Sequence, residues 1–100
     1  VYVAPQYFAT MNNQLHEQVR SIVLEHGRLG DVSDLQVDTD LYTLGLTSHA
    51  SVAVMLALEA TFDIEFPDRF LKRQVFESIR NIAGAISELL GQSQAAGAAS

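Results

Sequence analysis

The residue best placed to do chemistry is Ser48, in the run Gly45-Leu46-Thr47-Ser48-His49-Ala50-Ser51-Val52. Gly45-Leu46-Thr47 reads as a loop, and a strongly helical stretch follows. A serine there stands in the first turn of a helix, where backbone N–H groups lack helical acceptors. The macrodipole at that end favours negative charge, so a phosphodiester on the hydroxyl is accommodated. Exposure at a helix start also lets a modifying enzyme reach it. The same residue types serve more often as plain N-caps, and local physics leaves both roles open. A third arrangement, a Ser48–His49 nucleophile–base pair, is disfavoured. Adjacent residues at a helix start rarely achieve that geometry, and neither an orienting third group nor an oxyanion site is suggested.

Other chemistries are excluded or unsupported. With no cysteine, disulfides and thiolate metal sites are ruled out, and any thiol must come from an added group. His16 and His26 are too far apart for one metal-binding turn, and with His49 they form no recognisable ligand set, so no metal is expected. A net charge of −6 argues against nucleic acid and favours partners with basic patches. No apolar run is long enough to span a bilayer and no secretory pattern is visible, so the cytoplasm is the expected location, with no membrane partner.

The elements that must position Ser48 follow from periodicity. A chain of 100 residues with 48% hydrophobic content suggests one folded domain. Residues 1–10 lack a period and are interrupted by Pro5; they are expected to be a flexible extension, with Met11 a candidate native start. Residues 91–100 are rich in Gly, Ala, Ser and Gln and are expected to be a flexible tail. The domain is placed at 11–90. Its first helix is predicted over about Asn13 to Glu25, with Leu15, Val19, Ile22 and Val23 on one face, ended by left-handed turns at Gly27 and Gly30. A long loop, Asp31 to Leu46, carries Leu35, Val37, Leu41, Tyr42 and Leu44, spaced as a loop that pins itself to the core. The second helix spans about Ser48 to Phe62, with Val54, Met55, Leu58 and Phe62 inward. A short, weak helix over Asp68 to Arg73 follows Pro67. The last runs from about Ser78, a cap, to Leu90, with Ile79, Ile82, Ala83, Ile86, Leu89 and Leu90 inward and Gly91 as its stop. Phe70 and Phe76 are expected to close the core. The pattern is that of a small all-α, up-and-down bundle.

Ser48 with Gly45 and Val52, the exit segment Phe62-Asp63-Ile64-Glu65-Phe66-Pro67-Asp68, and Ser78-Ile79 with Ile82 together resemble the acyl or peptidyl carrier protein family over about Leu15 to Leu90. The resemblance implies an acyl-carrier-protein-like bundle of three main helices, a short extra helix and a long loop between helices 1 and 2. It implies that Ser48 bears 4′-phosphopantetheine, attached from coenzyme A by a phosphopantetheinyl transferase, and that the chain is a monomer without catalysis of its own. Two positions depart from the family: Thr47 stands where aspartate is usual, and His49 where leucine is usual. The first removes a carboxylate from transferase recognition while keeping a helix cap; the second changes the surface beside the arm.

The resemblance also implies a docking surface. Thr47, His49, Val52 and Leu56 face outward near the arm, and Ala53, Ala57 and Ala60 extend that face. Arg69, Lys72 and Arg73, half of the chain's six Lys and Arg residues, lie on the same side as a contact for an acidic patch on a partner. Fatty-acid-type carriers usually place several acids on this helix; between Ser48 and Thr61 this chain has only Glu59. Leu46 to Val52 and the exit followed by Arg69-Phe70-Leu71-Lys72-Arg73 are most similar to small stand-alone aminoacyl carriers. Their ligases resemble class II aminoacyl-tRNA synthetases and load glycine, alanine or a similarly small residue as a thioester, for delivery to a downstream acceptor enzyme. The alternatives are a carrier for fatty-acid, polyketide or nonribosomal peptide synthesis, or an unmodified helical interaction module.

Overall fold

The computed structural model describes the backbone of residues 5–99 and the side chains of residues 14–91. Three helices and two 3₁₀ turns make up its regular structure, with no strand among the described residues. They are α1 (Pro5–His26), α2 (Ser48–Phe62), 3₁₀ turns at Asp68–Phe70 and Arg73–Phe76, and α3 (Ile79–Ala99). This is the small all-α bundle that the sequence predicts, with the long loop between α1 and α2. The flexibility expected of residues 1–10 and 91–100 falls on segments lying partly outside the described residues.

Both outer helices are longer than periodicity indicates. α1 begins at Pro5; proline at a first helical position sacrifices no helical hydrogen bond and has its φ preset. α3 runs through Gly91 to Ala99. Gly91 has no positive φ, so it acts as a weak helix residue rather than a stop, and the alanines and glutamines beyond it are good helix formers. The end of α1 also differs from expectation. The left-handed residue is Arg28 (φ 54°), and neither Gly27 nor Gly30 has a positive φ. Gly27 is needed for closeness instead: a Cβ there would stand 2.6 Å from the Val23 carbonyl oxygen.

The core draws on every element. Val19 and Val23 of α1, Val54 and Leu58 of α2, and Ile79, Ile82 and Ile86 of α3 are almost fully buried. Each such side chain contributes about 1.5–3 kcal/mol on burial. α1 packs on both α2 and α3, and the second 3₁₀ turn packs on α3. Phe66, Phe70 and Phe76 close the end near the turns, with Phe66 and Phe76 at 5.6 Å between ring centres.

The loop is part of this core. Leu35, Leu41 and Leu46 are buried. Its backbone is tied to three partners: Arg20 Nη1 donates to the Leu35 carbonyl (2.9 Å), Leu41 N–H to the Glu77 carbonyl (2.7 Å), and Arg80 N–H to the Val37 carbonyl (2.9 Å). The Arg80 guanidinium also forks onto the Asp38 carboxylate. These bonds fix the direction from which the chain enters α2.

Candidate functional site

Ser48 is exposed between two buried anchors, Leu46 and Ala50. The chain approaches through Gly45, whose φ of +111° side-chain-bearing residues rarely adopt. Thr47 then takes an extended conformation (φ −94°, ψ 166°) and caps α2, its Oγ1 accepting the Ala50 N–H at 3.0 Å. Threonine thus performs the capping at the position where the family usually has aspartate. Ser51 N–H donates to the Thr47 carbonyl (2.8 Å), and the Ser51 hydroxyl donates to the Ser48 carbonyl (2.7 Å). The backbone around Ser48 is held in this way while its side chain reaches solvent.

Ser48 opens onto a groove of about 470 Å³ lined by Tyr42, Ser51, Val52, Met55, Leu71, Lys72, Arg73 and Phe76. The lining combines apolar side chains with the hydroxyls of Tyr42, Ser48 and Ser51, and its charged residues are both cations. The Arg73 guanidinium lies 3.8 Å from the centre of the Tyr42 ring, a cation–π contact. Burial pushes the Tyr42 hydroxyl above its ordinary pKa; Arg73 opposes this, and Asp40 and Glu77 add to it. Tyr42 is thus a neutral hydrogen-bond donor over the physiological range. Its position is set by an aspartate turn, Tyr42 N–H donating to Asp40 Oδ1 at 2.9 Å. Sequence spacing assigns Tyr42 and Met55 to packing and gives Leu71 no role; no periodic signal links loop residue 42 to residues 71–73.

The proposed surface residues divide. Thr47, His49, Val52 and Leu56 are exposed, the last two at 49% and 55%. Ala53 is half-buried, and Ala57 packs against the core rather than extending the outer face; Ala60 remains exposed. The basic cluster is split by its two 3₁₀ turns. Lys72 and Arg73 line the Ser48 groove, whereas Arg69 does not; it lines a second groove with Arg80 and Glu88, which Lys72 also borders, and its guanidinium lies 5.0 Å from the Phe70 ring centre. Glu59 is the one acid of α2, and its carboxylate is engaged structurally, accepting the Phe66 N–H at 2.8 Å. The outward face of α2 is therefore nearly uncharged. Among the described residues no cluster of three or more potential metal ligands occurs, and no helix is long and apolar enough to cross a membrane.

Comparison with known proteins places this geometry. Residues 13–91 match the family described as "Phosphopantetheine attachment site". The chain is 41% identical over 83 residues to an aminoacyl carrier protein of Agrobacterium fabrum, an alignment covering 82% of this chain and 100% of that one. It is 32% identical over 83 residues to an acyl carrier protein of Akkermansia muciniphila, covering 80% and 98% respectively. Among solved structures, it resembles the crystal structure of an engineered Bradyrhizobium japonicum glycine:carrier protein ligase complexed with carrier protein from Agrobacterium tumefaciens and ATP. That match has a TM-score of 0.69 at 40% identity and covers 73% of this chain and 96% of the other. With an exposed serine opening α2, inside a three-helix fold that matches these relatives over nearly their whole length, the chain belongs to the phosphopantetheine-attachment family of carrier proteins.

Proposed function

We propose that this protein is an aminoacyl carrier whose Ser48 is the attachment point of 4′-phosphopantetheine. The observation that carries the site is the exposed Ser48 hydroxyl, held between buried Leu46 and Ala50 at the first residue of α2. The residues present suit the group: first-turn amides favour its phosphate, and the groove beside Ser48 offers apolar side chains and hydroxyls. A phosphopantetheinyl transferase takes the Ser48 proton, and the serine oxygen attacks the pantetheine-bearing phosphorus of coenzyme A; the diphosphate bond breaks, adenosine 3′,5′-bisphosphate leaves, and Ser48 keeps the phosphodiester. Once attached, the arm supplies a terminal thiol that holds the amino acid as a thioester.

The chain's own part is to present, dock and release. His49, Val52 and Leu56 form the face that meets each enzyme in turn: the transferase, an amino acid:carrier protein ligase resembling a class II aminoacyl-tRNA synthetase, and a downstream acceptor enzyme. Because Glu59 is engaged with Phe66, docking relies on shape and apolar contact more than on ion pairing. The greater identity to the aminoacyl carrier than to the acyl carrier supports amino acid cargo. The likeness to a carrier seen with a glycine ligase supports a small one.

The deciding experiment is intact mass after incubation with coenzyme A and a broad-specificity transferase, beside Ser48→Ala. The expected outcome is a phosphopantetheine mass gain in the parent and none in the variant. The holo chain is then offered glycine, alanine and larger amino acids with ATP and a glycine:carrier protein ligase, and separately fatty acids with an acyl:carrier protein synthetase. Glycine or alanine loading supports the reading. Loading only by fatty acids replaces the cargo assignment, and an unmodified but folded parent overturns the carrier role.

A further inference from the structure

We propose that Lys72 and Arg73 hold, in cis, the phosphodiester that modification places on Ser48, so that these cations serve the chain's own prosthetic group rather than a partner's acidic patch. The inference rests on Ser48 being the modified residue. It starts from the placing of the basic cluster: Arg73 lines the groove that Ser48 lines, Lys72 stands between that groove and the neighbouring one, which Glu88 also lines, and Arg69 lines only the neighbouring one. None of the residues lining the Ser48 groove is acidic, in a chain with 12 acidic and 6 basic residues. Two cations without an acid in that groove run against the charge of the whole molecule. The first turn of α2 is also free of acidic residues, so nothing there competes for them. Asp40 and Glu77, which act on Tyr42 through space, lie outside the groove lining.

Arg73 is prepared for such a contact. Its guanidinium lies 3.8 Å from the Tyr42 ring centre, and Tyr42 is fixed in turn by its bond to Asp40. A ring contact through the face of a guanidinium leaves its edge N–H donors for an oxyanion. It also reduces the rotamer freedom lost when an anion binds. Lys72, one residue earlier, adds a mobile point charge. The phosphodiester is covalently tethered at the groove mouth, so even a weak contact is populated at high effective concentration. The consequence for function is that the base of the arm is oriented before any enzyme docks.

The test compares apo and holo protein with no partner present, after mass spectrometry has verified conversion. On conversion the Arg73 Nε–Hε and Tyr42 ring resonances should shift, and the shift should shrink in about 0.5 M salt, where exposed charges are screened within a few ångströms. The holo form should melt higher than the apo form at low salt by on the order of 2–5 °C. That holo-minus-apo difference should vanish in Lys72→Gln/Arg73→Gln and be partly kept in Arg73→Lys, which retains charge without the fork. Each variant is referred to its own apo form, so any loss of packing cancels. A verified mass gain with unmoved Arg73 and Tyr42 signals, or an equal melting difference in the double variant, overturns this proposal alone. Absence of any mass gain overturns it together with the assignment of Ser48.

Discussion

Thr47 is where this chain departs from its family at the residue next to the site, and the structure shows what the departure retains. Its hydroxyl accepts the Ala50 N–H, so Thr47→Ala should cost about 1 kcal/mol of stability in urea unfolding. Thr47→Asp keeps an acceptor at the cap and restores the carboxylate usual in the family. It should leave stability within about 0.5 kcal/mol of the parent and speed modification by a broad-specificity transferase, followed by intact mass against time. An unchanged rate would show that the carboxylate is irrelevant to recognition here. Tyr42 gives a prediction in pH. Burial raises its hydroxyl pKa, so the folded chain holds that proton more tightly than the unfolded one. The resulting stability is fully present below the unfolded value, about 10, and is lost as pH rises through the folded value. Urea unfolding between about pH 8 and pH 11 should therefore show a loss in the parent that Tyr42→Phe reduces. Arg73→Gln removes the cation that opposes the rise, and should deepen the loss and extend it to higher pH while leaving its onset in place.

At the scale of elements, α2 is bounded by devices at both ends. Thr47 opens it, and Asp63 closes it in a left-handed conformation (φ 53°), donating its N–H to the Glu59 carbonyl. Glu59 then reaches past the helix end to accept the part-buried Phe66 N–H. One glutamate thereby joins the end of α2 to the segment that leads into the 3₁₀ turns and the wall of the Ser48 groove. Glu59→Ala leaves that amide without its acceptor and should cost about 1–3 kcal/mol, with faster hydrogen exchange at Phe66. Glu59→Gln keeps an oxygen acceptor and should recover most of the loss. Equal losses in both variants would mean that charge, and not the hydrogen bond, is what the position requires. The loop before α2 is an element in the same sense, since bonds to α1, α3 and the residue before Ser78 hold it.

For the whole molecule, the division between the core and the proposed docking face follows where the apolar residues sit. Val54 and Leu58 of α2 are buried, while Val52 and Leu56 of the same helix are exposed. Val52 and Leu56 are four residues apart and share a helix face. Leu56→Ser should change stability by no more than about 0.5 kcal/mol while lowering the rate of loading by the ligase about tenfold, equivalent to roughly 1.4 kcal/mol of docking. Raising salt should have little effect on that rate if apolar contact carries the docking. A steep salt dependence with unchanged loading of Leu56→Ser would shift the docking surface to the charged residues.

The sequence by itself determined the helix centres, the inward stripes, the self-pinning loop and Ser48 as the candidate residue at the start of α2. Each depends on a helical period or a short run of residue types, and such signals are complete within a few residues. Val19 with Val23, Val54 with Leu58, and Ile79 with Ile82 and Ile86 are buried as their spacing predicts. Tertiary structure alone decided what distant segments do to one another. It put the left-handed turn at Arg28, and made Gly27 necessary where α1 leaves no room for a Cβ beside the Val23 carbonyl. It turned Ala57 toward the core and engaged Glu59 with Phe66. It kept Arg69 out of the groove that Lys72 and Arg73 share with Ser48, and brought Tyr42 from the loop to the Arg73 guanidinium. Loop, α2 and turns meet only when the core closes, so the groove beside Ser48 is a property of packing rather than of any one stretch of chain.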